Sequence, residues 1–215
     1  MDQSIKYMIV EDQEIVSLGL QMSLEQYENL QLLGLAKDGE QAVEMALSLN
    51  PDVIIMDLGL PKLDGIEATR KIIQAQPSAK ILIMSSRDKA RDIFACFAVG
   101  ASGYCRKDAS GSEVHTAMQA IMSGQLTIEA TIAGRILACW RDLQLSGTVT
   151  DDQGQPFALS ETDLQIISLI ADGLNNNTIA DKLGVTSESL SQQKQQLKHN
   201  LAILGALLVE TNDNH

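Results

Sequence analysis

Acidic side chains stand directly after two short apolar runs of this chain, Glu11-Asp12 after residues 7–10 and Asp57 after residues 53–56. A hydroxyl, Ser85, follows the run 81–84, and an ammonium, Lys107, lies just beyond 103–105. If those runs are strands of one parallel sheet, the residues after them collect at its carboxyl edge, where open α/β sheets bind ligands. Carboxylates ~4 Å apart repel by about 1 to 4 kcal/mol, depending on the effective dielectric. Solvation at the strand ends would relieve that repulsion, and so would a divalent cation. An oxygen-only donor set suits Mg²⁺ better than zinc. With the hydroxyl and the ammonium added, the edge holds the parts needed to accept a phosphoryl group: a carboxylate nucleophile, a cation site, and donors for the phosphoryl oxygens.

Positioning these groups requires alternating strands and helices, and the sequence up to about residue 122 alternates in that way. Strands are predicted at 7–10, 32–36, 53–56, 81–84 and 103–105. None shows period-2 alternation, as expected for strands covered on both faces. Helical spacing occupies 14–26, 39–49, 65–75, 89–99 and 111–123, and Asn50-Pro51 and Gln76-Pro77 stop two of these helices before the next strand. The expected fold class is α/β, a doubly wound five-stranded parallel sheet, with a second, smaller all-α domain. From 126 to 145 the pattern is helical, with Ile128, Ile132, Ile136, Leu137 and Trp140 on a shared face. Residues 146–156, with Gly147, Asp151-Asp152 and Gly154, read as a polar linker. Beyond it, 159–211 reads as short helices only. Ser160 offers an N-cap with Asp163 three residues on, and Gly173 suits the C-terminal end of the same helix. The predicted division is 1–123, a connecting helix and linker at 124–158, and 159–215.

Composition narrows the function classes. The chain has 215 residues, 45% hydrophobic and 20% charged, which is ordinary for a globular protein. Its 28 acids against 16 Lys and Arg give a net charge of -12, which repels phosphate backbones and acidic membranes unless cations gather locally. Aromatic residues at 3% are too few for a platform that stacks single-stranded bases. Cys96, Cys105 and Cys139 lack the paired spacing of a zinc or redox site and read as reduced thiols. The start Met1-Asp2-Gln3-Ser4 carries no signal-peptide pattern, and the longest apolar run, 201–209, falls well short of the ~20 residues that span a bilayer. A cytoplasmic location without membrane association is expected.

The stretches MIVEDQE, DVIIMDLGLPKLDGIEA, ILIMSS and GASGYCRKD cover nearly all of residues 5–123. They resemble the receiver domain of two-component response regulators, which has a flavodoxin-like fold. The resemblance implies Asp57 as phosphoacceptor and Glu11 and Asp12 as the acidic pair that holds Mg²⁺ with Asp57 and the Gly59 carbonyl. It further implies Ser85 as the switch hydroxyl, Tyr104 as the switch aromatic and Lys107 as the phosphate-pairing lysine. A sensor histidine kinase is the implied partner, and the implied chemistry is Mg²⁺-dependent self-phosphorylation and dephosphorylation rather than turnover of a substrate. Haloacid-dehalogenase-like phosphatases also form an aspartyl phosphate, but they need a second acid two residues on, where this chain has Gly59.

The segment LSETDLQIISLIADGLNNNTIADKLGVTSESLSQQKQQL resembles the helix-turn-helix output domain of NarL/FixJ (LuxR-type) regulators. Leu164, Ile167, Ile170 and Leu174 form one helical face, and Ala180 and Gly184 are small where two helices are expected to meet. The resemblance implies control of transcription through duplex DNA, by a homodimer whose formation depends on phosphorylation. Ser191, Gln192, Gln193, Lys194, Gln195 and Lys198 are the candidate DNA contacts, the glutamines suiting adenine edges. Residues 150–215 nevertheless hold nine acids against three lysines. That balance keeps open an output domain acting by protein contact, with little or no DNA binding. The apolar run 201–209 reads either as a dimer or partner surface or as a packed terminal helix.

Overall fold

The computed structural model describes residues 4–87, 89–146, 150 and 157–210. The first part alternates β1 (Ile5–Val10), α1 (Glu14–Leu24), β2 (Leu30–Ala36), α2 (Gly39–Leu49), β3 (Val53–Met56), α3 (Gly65–Ala75), β4 (Ile81–Ser85), α4 (Ala90–Ala98), β5 (Gly103–Arg106) and α5 (Gly111–Met122). A two-residue strand β6 (Thr127–Ile128) follows, then α6 (Ala130–Ser146), α7 (Glu161–Ala171), α8 (Asn176–Leu183) and α9 (Ser187–Glu210). All strands are parallel, in the order β2-β1-β3-β4-β5-β6.

The sheet therefore has six strands and not the five expected. Gly103 and Tyr104 pair with Thr127 and Ile128, so Ile128 belongs to an edge strand and not to the helical face that its spacing predicts. A strand of two residues is too short to interrupt a helical pattern visibly. The linker expected at 146–156 falls almost wholly outside the described residues.

Sequence alternation is hidden because both faces of the sheet are covered. Tyr7, Ile9, Val53, Ile55, Leu82 and Met84 pack on the side of α1 and α5, whereas Met8, Val10, Ile54, Met56, Ile81 and Ile83 pack on the other. Only the second side continues into the helical half. Ile132, Ile136, Ile166, Ile167, Leu190, Leu197, Leu201 and Leu204 belong to the same apolar cluster as Phe94 and Phe97 of α4.

Local chemistry starts the helices where they stand. Asp38, Asp64 and Asn175 cap α2, α3 and α8, and reciprocal capping boxes join Ser110 to Glu113 and Ser160 to Asp163. Gly184 has φ +66° and open space where a Cβ would stand, so it ends α8 by adopting the left-handed conformation and not by making close helix contact.

The C-terminal helix is continuous from the expected recognition segment into the apolar run, because neither His199 nor Asn200 breaks it. It lies along α4. A Cβ on Gly205 would stand 2.1 Å from the Phe94 carbonyl oxygen, so this approach requires glycine. Leu201 and Leu204 are fully buried, and Leu207 and Leu208 half-buried. The packed terminal helix is the arrangement observed.

Candidate functional site

Three carboxylates meet at the carboxyl edge of the sheet. Strand β1 delivers Glu11 and Asp12, and β3 delivers Asp57. One ligand oxygen from each lies within 4.8 Å of the others. Backbone bonds fix the spacing: Glu11 N–H donates to the Ala36 carbonyl, and Asp57 N–H donates to the Val10 carbonyl. The start of α3 presses against β3 from the other side, with Gly65 so near that a Cβ would fall 2.0 Å from the Asp57 carbonyl oxygen. Gly59 sits beside the Asp57 carboxylate, 3.4 Å from Oδ2 to its ideal Cβ position.

Burial sets the electrostatics. Glu11 is 3% and Asp57 4% exposed, whereas Asp12 faces solvent. Lys107 Nζ lies 2.8 Å from Glu11 Oε2 and 2.9 Å from Asp57 Oδ2, so one ammonium holds both buried acids. Burial raises the Glu11 carboxyl above the usual range even though Lys107 and the Gln13 N–H pull it down. Burial lowers Lys107, but its bonds to Glu11 and Asp57 outweigh that and leave it raised. One cation against three acids leaves the site negative. Glu11 Oε2 also lacks a well-aligned hydrogen bond despite the nearby ammonium. A hard divalent cation fits this donor set. Glu11, Asp12 and Asp57 are the side chains able to hold it.

The residues expected to act as the switch, Ser85 and Tyr104, adjoin the same edge. Ser85, at the end of β4, is buried, and its Oγ accepts from the Arg87 N–H at 3.2 Å. Lys107 N–H donates to the Ser85 carbonyl, which ties β5 to β4 beside Asp57. Tyr104 is fully buried, and its hydroxyl donates to the Arg87 carbonyl oxygen. Burial raises its pKa. Sequence reasoning misses Arg87. It links Ser85 and Tyr104 through its backbone, and its guanidinium pairs with Asp64 Oδ2 at 3.0 Å, joining the β4–α4 loop to the cap of α3. Arg87 is the first of three cations, with Lys89 and Arg91, so nothing in the sequence sets it apart.

This edge geometry has relatives among known proteins. Residues 7–119 match the response regulator receiver domain. Transcriptional regulatory protein LnrK of Bacillus subtilis (strain 168) is 31% identical over 201 residues, covering 93% of this chain and 91% of that protein. The chain belongs to the response regulator family. A solved LuxR-family two-component response regulator from Aurantimonas sp. SI85-9A1 is 33% identical, with a TM-score of 0.61, covering 65% of this chain and 99% of that one. The RcsB response regulator of Salmonella typhimurium shares the fold across 98% of this chain and 99% of its own, at 23% identity and a TM-score of 0.60. The fold likeness thus extends through the helical half of this response regulator.

The expected DNA-contact residues are not presented together. Gln192 and Gln195 are exposed and Ser191 is half-buried. Gln193 Oε1 is buried without a partner. Lys194 is 5% exposed and donates to Asn176 Oδ1 at 2.9 Å, and burial lowers its pKa to about 8. Lys198 reaches the receiver, donating to Ser102 Oγ at 3.3 Å. Lys194 is thus bonded within the output half and half-buried Lys198 to the receiver, so neither stands free on the exposed face of α9 where a duplex backbone would lie. Among the described residues no helix is long and apolar enough to cross a membrane.

Proposed function

We propose that this response regulator is switched by phosphorylation of Asp57 and controls transcription through its helical output domain. The observation that carries the reading is the single ammonium of Lys107 held between Asp57 and Glu11 at 2.8–2.9 Å beside Ser85. An Asp57 carboxylate oxygen attacks the phosphorus of a phosphohistidine; the O–P bond forms as the P–N bond breaks, and the leaving imidazole takes a proton. Lys107 leaves its carboxylates to pair with one phosphoryl oxygen, and the Ser85 hydroxyl donates to another. Mg²⁺, held by Glu11, Asp12, Asp57 and the Gly59 carbonyl, would neutralise charge on the incoming group. The phosphodonor protein is a sensor histidine kinase. Ile15, Leu18 and Met22 support a docking surface for it: they form an exposed stripe on α1, which begins two residues after Asp12, and Ile15 is 87% exposed.

Phosphorylation then acts on α4. Tyr104 already lies inside, so the coupling needs no inward swing of the ring. A phosphate that draws Ser85 moves the Arg87 backbone, to which both Ser85 and Tyr104 are bonded, and the loop leads directly into α4 beneath α9. Release of α9 would free the output helices for duplex DNA, with dimerisation supplying the second half-site. LnrK, named as a transcriptional regulatory protein, supports transcription as the readout.

A second reading rests on a specific observation: Lys194 and Lys198 are occupied internally, while Glu188, Gln192, Gln195 and Gln196 form part of the exposed face of α9. An output domain with that surface suits a protein partner. Radiolabelled phosphotransfer to wild type and Asp57→Asn, with and without chelator, tests the receiver; label on the variant, or undiminished label without metal, would refute the site. Gel shifts at stated salt, with and without the phosphomimic beryllofluoride, separate the two output readings.

A further inference from the structure

Between the receiver and the output helices lies a cleft of about 730 Å³, within the size range of small-molecule sites. None of Glu11, Asp57 or Lys107 lines it. Its receiver walls come from α5, β6 and Glu129, and its output walls from the turn between α7 and α8 and from Lys194 of α9. Lys194 is the feature that demands explanation. Its ammonium has three donors and one acceptor, Asn176 Oδ1, and no carboxylate lies within ion-pair distance among the described residues. Buried cations are ordinarily paired, because an unpaired charge out of water is costly. Burial alone brings this lysine down to about 8.

The surroundings define what would complete it. Asn176 and Asn177 also line the cleft, and they open α8, where the first backbone N–H groups have no acceptor within the helix. Ile128, Ile170 and Leu174 supply apolar wall. Glu113 and Glu129 lie on the receiver side, which disfavours a dianion such as a phosphate monoester. Both are already engaged, Glu113 in its capping box and Glu129 with the Arg106 N–H.

We propose that this cleft binds a small organic carboxylate with an apolar body, its head group on Lys194 and the start of α8, its body against Ile128, Ile170 and Leu174. The walls come from both halves of the chain, so an occupant binds the packed arrangement and not the separated one. Occupancy therefore opposes release of α9 and gives the regulator a chemical input besides phosphate.

Isothermal titration of the full-length protein with 4-phenylbutyrate, 4-phenylbutyramide and 4-phenylbutylamine tests this, the three probes sharing a body and differing in head group. The carboxylate is expected to bind saturably at up to about 5 mM, the amide about tenfold more weakly, and the amine not at all. Lys194→Met should weaken the carboxylate about tenfold and leave the amide unchanged. Ala120→Phe, which fills the cleft from α5 without touching the charge, should abolish binding of both. Equal affinity for carboxylate and amide, no saturable binding of the carboxylate, or an unchanged carboxylate affinity in either variant would overturn the assignment.

Discussion

Lys107 is poised by two carboxylates that repel each other, and removing it exposes how far the site depends on one charge. In Lys107→Met, Glu11 and Asp57 stay buried without a counter-ion, and a loss on the order of 3 kcal/mol is expected. Urea denaturation should show the loss without Mg²⁺ and largely restored stability with it, since the cation replaces the ammonium. Lys194 predicts a pH dependence of opposite origin. Its pKa falls from 10.5 to about 8 on folding. Below about pH 8 it is charged in both states and the burial cost is complete. Between there and 10.5 the unfolded chain binds more protons, so stability rises with pH across that window. Lys194→Met should be more stable at pH 7 by on the order of 2 kcal/mol, with the advantage shrinking as pH climbs, as thermal melts at stepped pH would show. The meeting of Glu11, Asp12, Asp57 and Lys107 at the receiver edge is legible in the sequence because strand ends place their next residues at known points. Arg87 is not, because it acts through its backbone, which is silent in sequence. Lys194 and Lys198 look like outward cations in the sequence because helical spacing alone does not say which face another domain will cover.

Among the elements, α4 and α9 carry the contact proposed to regulate output, and at Gly205 they approach so closely that no Cβ fits. Gly205→Val would place its Cβ against the Phe94 carbonyl, so α9 must lift. Small-angle scattering should then report a larger radius of gyration without phosphate, and trypsin should cut faster after Lys194 and Lys198. Ser85→Ala makes the converse prediction: phosphorylation proceeds while the change in scattering or oligomeric state is largely lost. If phosphorylated wild type and Ser85→Ala have the same domain arrangement, coupling does not pass through that hydroxyl. The alternating strands and helices of the receiver are evident from apolar runs and breakers. The strand β6 is invisible because two residues carry no period. The unbroken length of α9 is written plainly in the absence of any breaker at 199–200, yet it escapes a reading by composition because apolar and polar stretches of one helix resemble two elements.

At the scale of the whole molecule, net charge governs what the output half can do. With nine acids against three lysines in residues 150–215, and two of those lysines engaged internally, binding of the full-length protein to non-specific duplex should be weak, with a shallow salt dependence. Adding Glu188→Lys and Ser191→Lys should raise the affinity and steepen the salt slope by about one for each phosphate newly neutralised, as titrations at several salt concentrations would show. Tight, steeply salt-dependent binding by the unmodified monomer would mean that charge does not limit the output half. Only one face of the sheet shares its apolar cluster with the output helices, and Leu197, Leu201 and Leu204 of α9 belong to that shared cluster with Phe94 and Phe97 of α4. Opening the molecule bares that leucine row together with the surface of α4. Such a surface in water invites aggregation, so if activation opens the chain as proposed, the opened species is a colloidal hazard unless something covers the row promptly. The lifetime of the signal is thereby tied to abundance: at low copy number an opened chain recloses before it finds a companion, and at high copy number permanently opened variants should accumulate as inclusion bodies.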